Sequence, residues 1–151
     1  MSFPTIIIDT REQQPWKFPN HTTAVKKLDT GDYSLEGLEN VLCIERKKNT
    51  SEFAKNIIEK RYDDWTMRMA EFKHKYLLLE CSLADVYRFP EKSGIPKYLL
   101  SKTRISSKFL IKKLLELQIL HNIHVLFCDS SYTASKIAED IMYRVYKNEQ
   151  E

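Results

Sequence analysis

Val41-Leu42-Cys43-Ile44-Glu45-Arg46-Lys47 is the stretch on which the fold turns. An apolar run of strand length that ends in charged residues reads as a strand delivering functional groups to a sheet edge. Side chains alternate along a strand, so Glu45 and Lys47 share one face and Arg46 points to the other. Just upstream, Tyr33-Ser34-Leu35 is a second short strand, and a turn around residues 37–40 joins the two as a hairpin. Further back, Ile6-Ile7-Ile8 gives residues 5–9 the look of a buried strand ending in Asp9. Residues 13–22, with Pro15, Pro19 and Asn20, read as a loop.

Downstream, Ser51 is placed to cap a long helix to about residue 72, with Phe53, Ile57, Trp65, Met69 and Phe72 on its apolar face. Residues 76–80 form a compact apolar strand, and an irregular basic stretch follows. A helix from Ser106 or Ser107 to about His121, a strand over 124–128 and a last helix over 132–147 complete the pattern. Three early strands, then helices alternating with strands, predict an α/β domain with a mixed central sheet flanked by helices. At 151 residues, without an internal repeat, residues 1–151 form a single domain with its own core.

Composition narrows the classes. Apolar residues make up 42% and charged residues 30%, the balance of a folded globular chain. Three glycines and five prolines leave no room for long low-complexity linkers. No apolar run approaches the roughly 20 residues of a membrane span. The start at Met1 lacks a signal-peptide pattern, so an intracellular protein is expected, cytoplasmic in a prokaryote or virus and nuclear in a eukaryote. Cys43, Cys81 and Cys128 are far apart and sit in apolar runs, which reads as buried free thiols. His21, His74, His121 and His124 lack metal-ligand spacing.

The chemistry gathers at the strand ends. Asp32 opens the strand before Glu45, and Asp9 ends the first strand. Acids at the ends of adjacent strands repel unless a cation lies between them. Hard carboxylate oxygens with water and a phosphate describe a Mg²⁺ or Mn²⁺ site. A lysine beside it, Lys47, can stabilise charge on a phosphate in reaction.

Taken in order, Ile8-Asp9-Thr10-Arg11-Glu12, Gly31-Asp32-Tyr33 and Glu45-Arg46-Lys47 resemble the nuclease domain of the XPF family of structure-selective endonucleases. The resemblance covers nearly the whole chain and implies a restriction-endonuclease-like core. By it, Asp9, Asp32 and Glu45 are metal ligands and Lys47 is catalytic, with Arg46 and Glu12 in the catalytic group and Arg11 toward DNA. It implies hydrolysis of phosphodiester bonds in branched, flap or junction DNA, at single/double-strand junctions, and homodimers formed through helices beside the sheet. Two stripes are candidates for that contact: Ile137, Ile141 and Val145, or Leu110, Leu114 and Leu117. One departure stands out: the family's acid four residues past Lys47 falls on Ser51, with Glu52 next. The helix-hairpin-helix and helicase domains that commonly accompany the family have no counterpart in these residues. Two other readings stay open: a catalytically weak or inactive module of the same fold that binds DNA or a partner, and a junction-resolving or restriction-type nuclease.

From Lys92 to Lys113 there are seven basic residues and no acid. Of these, Lys92, Lys97, Lys102, Arg104 and Lys108 are the candidate phosphate contacts, a kind of contact that tracks a backbone without reading sequence.

Overall fold

The computed structural model describes residues 2–100 and 104–151, residue 100 in its backbone alone. Lys102, one of the expected DNA contacts, lies outside the described residues. The strands are β1 (Ile6–Asp9), β2 (Thr23–Lys26), β3 (Tyr33–Leu35), β4 (Leu42–Lys47), β5 (His74–Leu79) and β6 (His124–Phe127). They form one sheet in the order β2-β1-β3-β4-β5-β6. β3 runs antiparallel to β1 and β4, while β2 lies parallel to β1 and β5 and β6 follow parallel to β4. The mixed sheet is therefore as expected, with one strand more. β2 escaped notice because its four residues (Thr-Ala-Val-Lys) lie largely exposed at an edge, where no buried face imposes an apolar pattern.

Helices α1 (Thr50–Ile57), α2 (Tyr62–Ala70), α3 (Leu83–Tyr87), α4 (Lys97–Leu100) and α5 (Ser107–His121) precede β6, and α6 (Ser131–Gln150) follows it. The single long helix expected over 51–72 is two. At 3.6 residues per turn, an unbroken helix would carry Tyr62, Thr66 and Met69 on the side opposite Phe53 and Ile57. All five are buried, and the break at residues 58–61 turns both sets to the core. The cap also differs: Asn49 accepts from the Glu52 N–H, and the Ser51 hydroxyl donates to Asn49. An Asx cap at Asn49 frees Ser51 from that role.

Two apolar layers cover the sheet. On one face, Cys43, Leu77 and Leu79 pack with Phe53, Met69, Val86, Leu110, Leu114 and Leu117. On the other, Ile6, Ile8, Tyr33, Leu42, Ile44 and Leu78 pack with Trp16, Phe18 and the inner side of α6. Leu110, Leu114, Leu117 and Val145 are buried within the chain, and Ile137 and Ile141 pack partly buried against the second layer. The α5 stripe is thus no free surface and covers the sheet, whereas Ile137 and Ile141 are only partly buried and, with Val145, line a surface cavity beside Tyr76 and Leu126. The three cysteines are buried and free, as expected, and burial holds Cys81 up to about 12 and Cys128 up to about 11, so neither is a thiolate at neutral pH. Among the described residues, no helix is long and apolar enough to cross a membrane.

Candidate active site

The three strands that carry the acids are neighbours, and their register decides what meets. Ile8 pairs with Tyr33 across β1 and β3, and Tyr33 pairs with Ile44 across β3 and β4. One step further along each pair sets Asp9 beside Asp32 and Asp32 beside Glu45, a row of three acids across adjacent strands. Cross-strand neighbours stand about 5 Å apart at Cβ. The backbone confirms the row: Asp9 N–H donates to Asp32 O at 2.9 Å, and Asp32 N–H to Ile44 O at 2.8 Å.

Gly31 makes the approach possible. It has φ +88°, and a Cβ there would meet Cys43 Sγ at 2.6 Å and Ile44 O at 3.3 Å. Only glycine takes that backbone so close to β4 without strain. Asp32 is thereby delivered against the next strand, where its Oδ2 accepts from the Arg46 N–H at 2.8 Å. Burial and the nearby Glu45 carboxylate push the Asp32 carboxyl well above its ordinary range. Glu12 adds to the same negative field from further away.

Glu45 and Lys47 face the side that carries α1, α2 and α5. Trp65 on α2 donates its indole N–H to Glu45 Oε2 at 3.2 Å, and Lys47 Nζ stands 5.8 Å from the centre of the same ring. Both are buried residues at the end of β4. Trp65 is thus a site residue that the sequence reading assigned to the core alone. Its helical position was legible, but its partner 20 residues away was not.

Asp9 is turned elsewhere. Its Oδ1 accepts from the Leu28 N–H at 2.7 Å, and its Oδ2 from the Arg11 side chain at 2.6 Å and the Arg11 N–H at 3.2 Å. Burial alone would raise its carboxyl, but these hydrogen bonds outweigh it and hold Asp9 below the ordinary range. The same bond to Asp9, with the charges of Asp32 and Glu45, raises Arg11. Arg11 is therefore the cation nearest the row. Among the described residues, no three His, Cys, Asp or Glu side chains gather into a metal-binding group. Asp32 and Glu45 are the pair that meets.

Arg46 and Glu12 lie on the opposite face. Arg46 donates to Glu12 Oε2 at 3.0 Å, to Glu80 Oε2 at 2.6 Å and to the Gln14 carbonyl at 2.8 Å. Its guanidinium stands 5.0 Å from the Trp16 ring, which stacks on Tyr33 at 4.4 Å. Tyr33 OH donates to Glu12 and accepts from the Trp16 N–H, and the Trp16 indole donates to Glu80 at 2.6 Å. The network is closed and nearly dry, and the Arg46 side chain is only 4% exposed. Glu80 was not singled out in the sequence, although it ends an apolar strand as Asp9 does. Trp16, within the loop over residues 13–22, is buried here.

The expected DNA contacts Lys92, Lys97, Arg104 and Lys108 are all exposed, and none is in an ion pair among the described residues. They flank the segments whose Val86, Ile95, Ile105 and Leu110 cover the same sheet face as Glu45 and Lys47. Ser51 and Glu52 begin α1 beside the end of β4, with Glu52 Oε2 accepting from the Lys48 N–H at 3.4 Å.

Residues 8–139 match the family model described as the ERCC4 domain. The chain belongs to the ERCC4 domain family. The match opens at Ile8 and takes in every acid of the row. The ERCC4 fold is also similar to the solved structure of XPF from Aeropyrum pernix, with a TM-score of 0.69 and 19% identity over 95% of this chain. A second structure, XPF from Aeropyrum pernix in complex with DNA, gives a TM-score of 0.68 and 20% identity over 96% of this chain. This ERCC4 domain covers 65% and 66% of the lengths of those two chains. At such identity the likeness carries the fold, and the fold is the restriction-endonuclease-like sheet with helices on both faces. A search of curated proteins gives no match.

Proposed function

We propose that this ERCC4 domain is a divalent-metal-dependent DNA endonuclease that hydrolyses phosphodiester bonds at branched, flapped or junction sites. One observation carries the reading: Asp32 and Glu45 face each other at neighbouring strand ends, with Lys47 on the same side. Two carboxylates held together destabilise the apo site unless a proton or a cation lies between them. Hard oxygen donors from two acids, leaving positions for water and phosphate, fit Mg²⁺ or Mn²⁺. When bound, such a cation supplies Lewis acidity and offsets the charge that grows on the phosphate.

The chain's own residues do the rest. Asp32 is held by the Arg46 N–H and Glu45 by the Trp65 indole, so both carboxylates keep their orientation before substrate arrives. The Lys47 ammonium offers a fixed positive charge to the reacting phosphate or a donor to the attacking water. Asp9 joins as a third ligand once Arg11 turns from it to a DNA phosphate, and until then it steadies Arg11 at the site. Glu12 and Arg46, as part of the buried network, keep β4 in place beneath the reacting groups. The exposed cations Lys92, Lys97, Arg104 and Lys108 suit a phosphate-tracking surface, with Lys102 in the same basic stretch of sequence.

The branched-DNA preference and a homodimer come with the family. With the inner stripe of α5 occupied, a second copy would meet the partly exposed Ile137 and Ile141 of α6 or the outer side of α5, where Leu115, Ile119 and Leu120 are exposed. The test is cleavage of flap, fork, junction and linear DNA with Mg²⁺ or Mn²⁺, beside Asp32→Asn. Cleavage by the wild type of branched DNA alone is expected, with loss in the variant. Equal cutting by both proteins removes the metal assignment. Binding of branched DNA without any cutting leaves a non-catalytic module.

A further inference from the structure

A cavity of about 650 Å³ opens on the face of the sheet away from Glu45 and Lys47. Its lining includes Arg46 and Lys48 from the end of β4, Lys17 from the loop before β2, and Tyr132 and Lys136 from the start of α6. Three lysines (Lys17, Lys48 and Lys136) line it; Arg46 is already paired with Glu12 and Glu80, and Glu80, the one lining acid among the described residues, is bonded to Arg46 and Trp16. Lys17, Lys48 and Lys136 form no ion pair among the described residues. An unneutralised cationic concavity of this size is an anion site.

Tyr132 says which anion. It is 72% exposed, with Lys136 Nζ 5.5 Å from the centre of its ring. Nothing in the core uses this ring, and a flat aromatic face beside lysines is the platform on which an unpaired base stacks while its phosphates meet the cations. A duplex keeps its bases stacked inside and offers no such face. The cavity also lies at the same end of β4 as the acid pair, because Arg46 and Lys48 bracket Lys47 and point the other way. A strand that passes Glu45 and rounds the end of β4 arrives there.

We infer that the groove between Lys17, Lys48, Tyr132 and Lys136 binds a single-stranded DNA segment continuous with the DNA at the acid pair. This rests on reading the domain as one that acts on DNA. The site is separate from the basic stretch after Lys92 and from the reacting groups, and it gives the domain a way to distinguish an unpaired arm from plain duplex.

The test is fluorescence anisotropy in EDTA at about 0.15 M salt, where charges more than about 8 Å away are largely screened. The probes are labelled oligo(dT) of about ten nucleotides and a blunt duplex. Wild type binds oligo(dT). Lys17→Glu with Lys136→Glu weakens that binding by about tenfold or more, and Tyr132→Ala by at least about fivefold. Tyr132→Phe keeps the ring and the affinity, while affinity for blunt duplex holds in all variants. Failure of the wild type to bind oligo(dT), wild-type affinity in the charge-reversed variant, or equal losses on blunt duplex each overturn the groove. Cleavage is read separately with Mg²⁺ or Mn²⁺. A wild type that cuts nothing but binds oligo(dT) through these residues keeps the groove and loses only the nuclease reading.

Discussion

Asp32 Oδ2 accepts a hydrogen bond from the backbone N–H of Arg46 at 2.8 Å, so the acid of one strand is fastened to the next strand beside Glu45. That bond favours the ionised form, yet burial and Glu45 outweigh it and leave the Asp32 carboxyl well above its ordinary range. Under the proposed function, function and stability are opposed at this position.

The first prediction follows from that opposition. A carboxyl raised in the folded state binds its proton more tightly there than in the unfolded chain. Its contribution to stability is therefore full below the ordinary value of 3.8 and fades as pH rises through the folded value. Asp32→Asn removes this dependence. In EDTA at neutral pH the variant should be more stable than wild type. Thermal melts at several pH values check it: the gap should widen as pH rises, and added Mn²⁺ should raise the wild-type Tm alone. A gap that stays constant with pH would sink the idea.

Lys47→Ala should lower the cleavage rate roughly 100- to 1000-fold, since it removes a fixed positive charge next to the reacting phosphate. The Mn²⁺-induced rise in Tm should survive, because the lysine is not a ligand. Loss of both together would show that Lys47 acts by holding the acid pair.

Arg46→Ala leaves Glu12 and Glu80 facing each other without their shared cation in a nearly dry network. Breaking a buried pair from one side costs about 3–5 kcal/mol. Urea unfolding measures this, and a loss under about 1 kcal/mol would mean that the network is wet in solution.

Gly31→Ala should destabilise the chain by about 1–3 kcal/mol, from the positive φ and the crowding against Cys43 and Ile44. Gly37 also has φ +88° but open space around it, so Gly37→Ala carries the backbone strain without the clash. The larger of the two losses should be at Gly31, by chemical denaturation.

Lys97→Glu with Lys108→Glu should weaken duplex binding and flatten the dependence of log affinity on log salt by about 2, near one unit for each DNA phosphate no longer neutralised. A salt titration with an unchanged slope would take that surface out of the DNA path.

Part of this site is written locally. The acids at strand ends, the Gly31-Asp32 turn and the alternation of Glu45, Arg46 and Lys47 follow from strand periodicity, which acts over two or three residues. The family match over residues 8–139 agrees with the resemblance read from those same motifs. Edge strand β2 and the break between α1 and α2 were not legible, because one has no buried face and the other answers to a core assembled from distant strands.

What the sequence by itself determined was the inventory: which strands end in acids, which face Glu45 and Lys47 share, and where the basic stretch lies. Tertiary structure alone decided the pairings. Asp32 meets Glu45, while Asp9 is taken by Leu28 and Arg11. Arg46 closes on Glu80, 34 residues away, and Trp65 reaches Glu45 from a helix. Such choices depend on register between strands and on which side chains lose their water together, and neither quantity exists until the chain has folded.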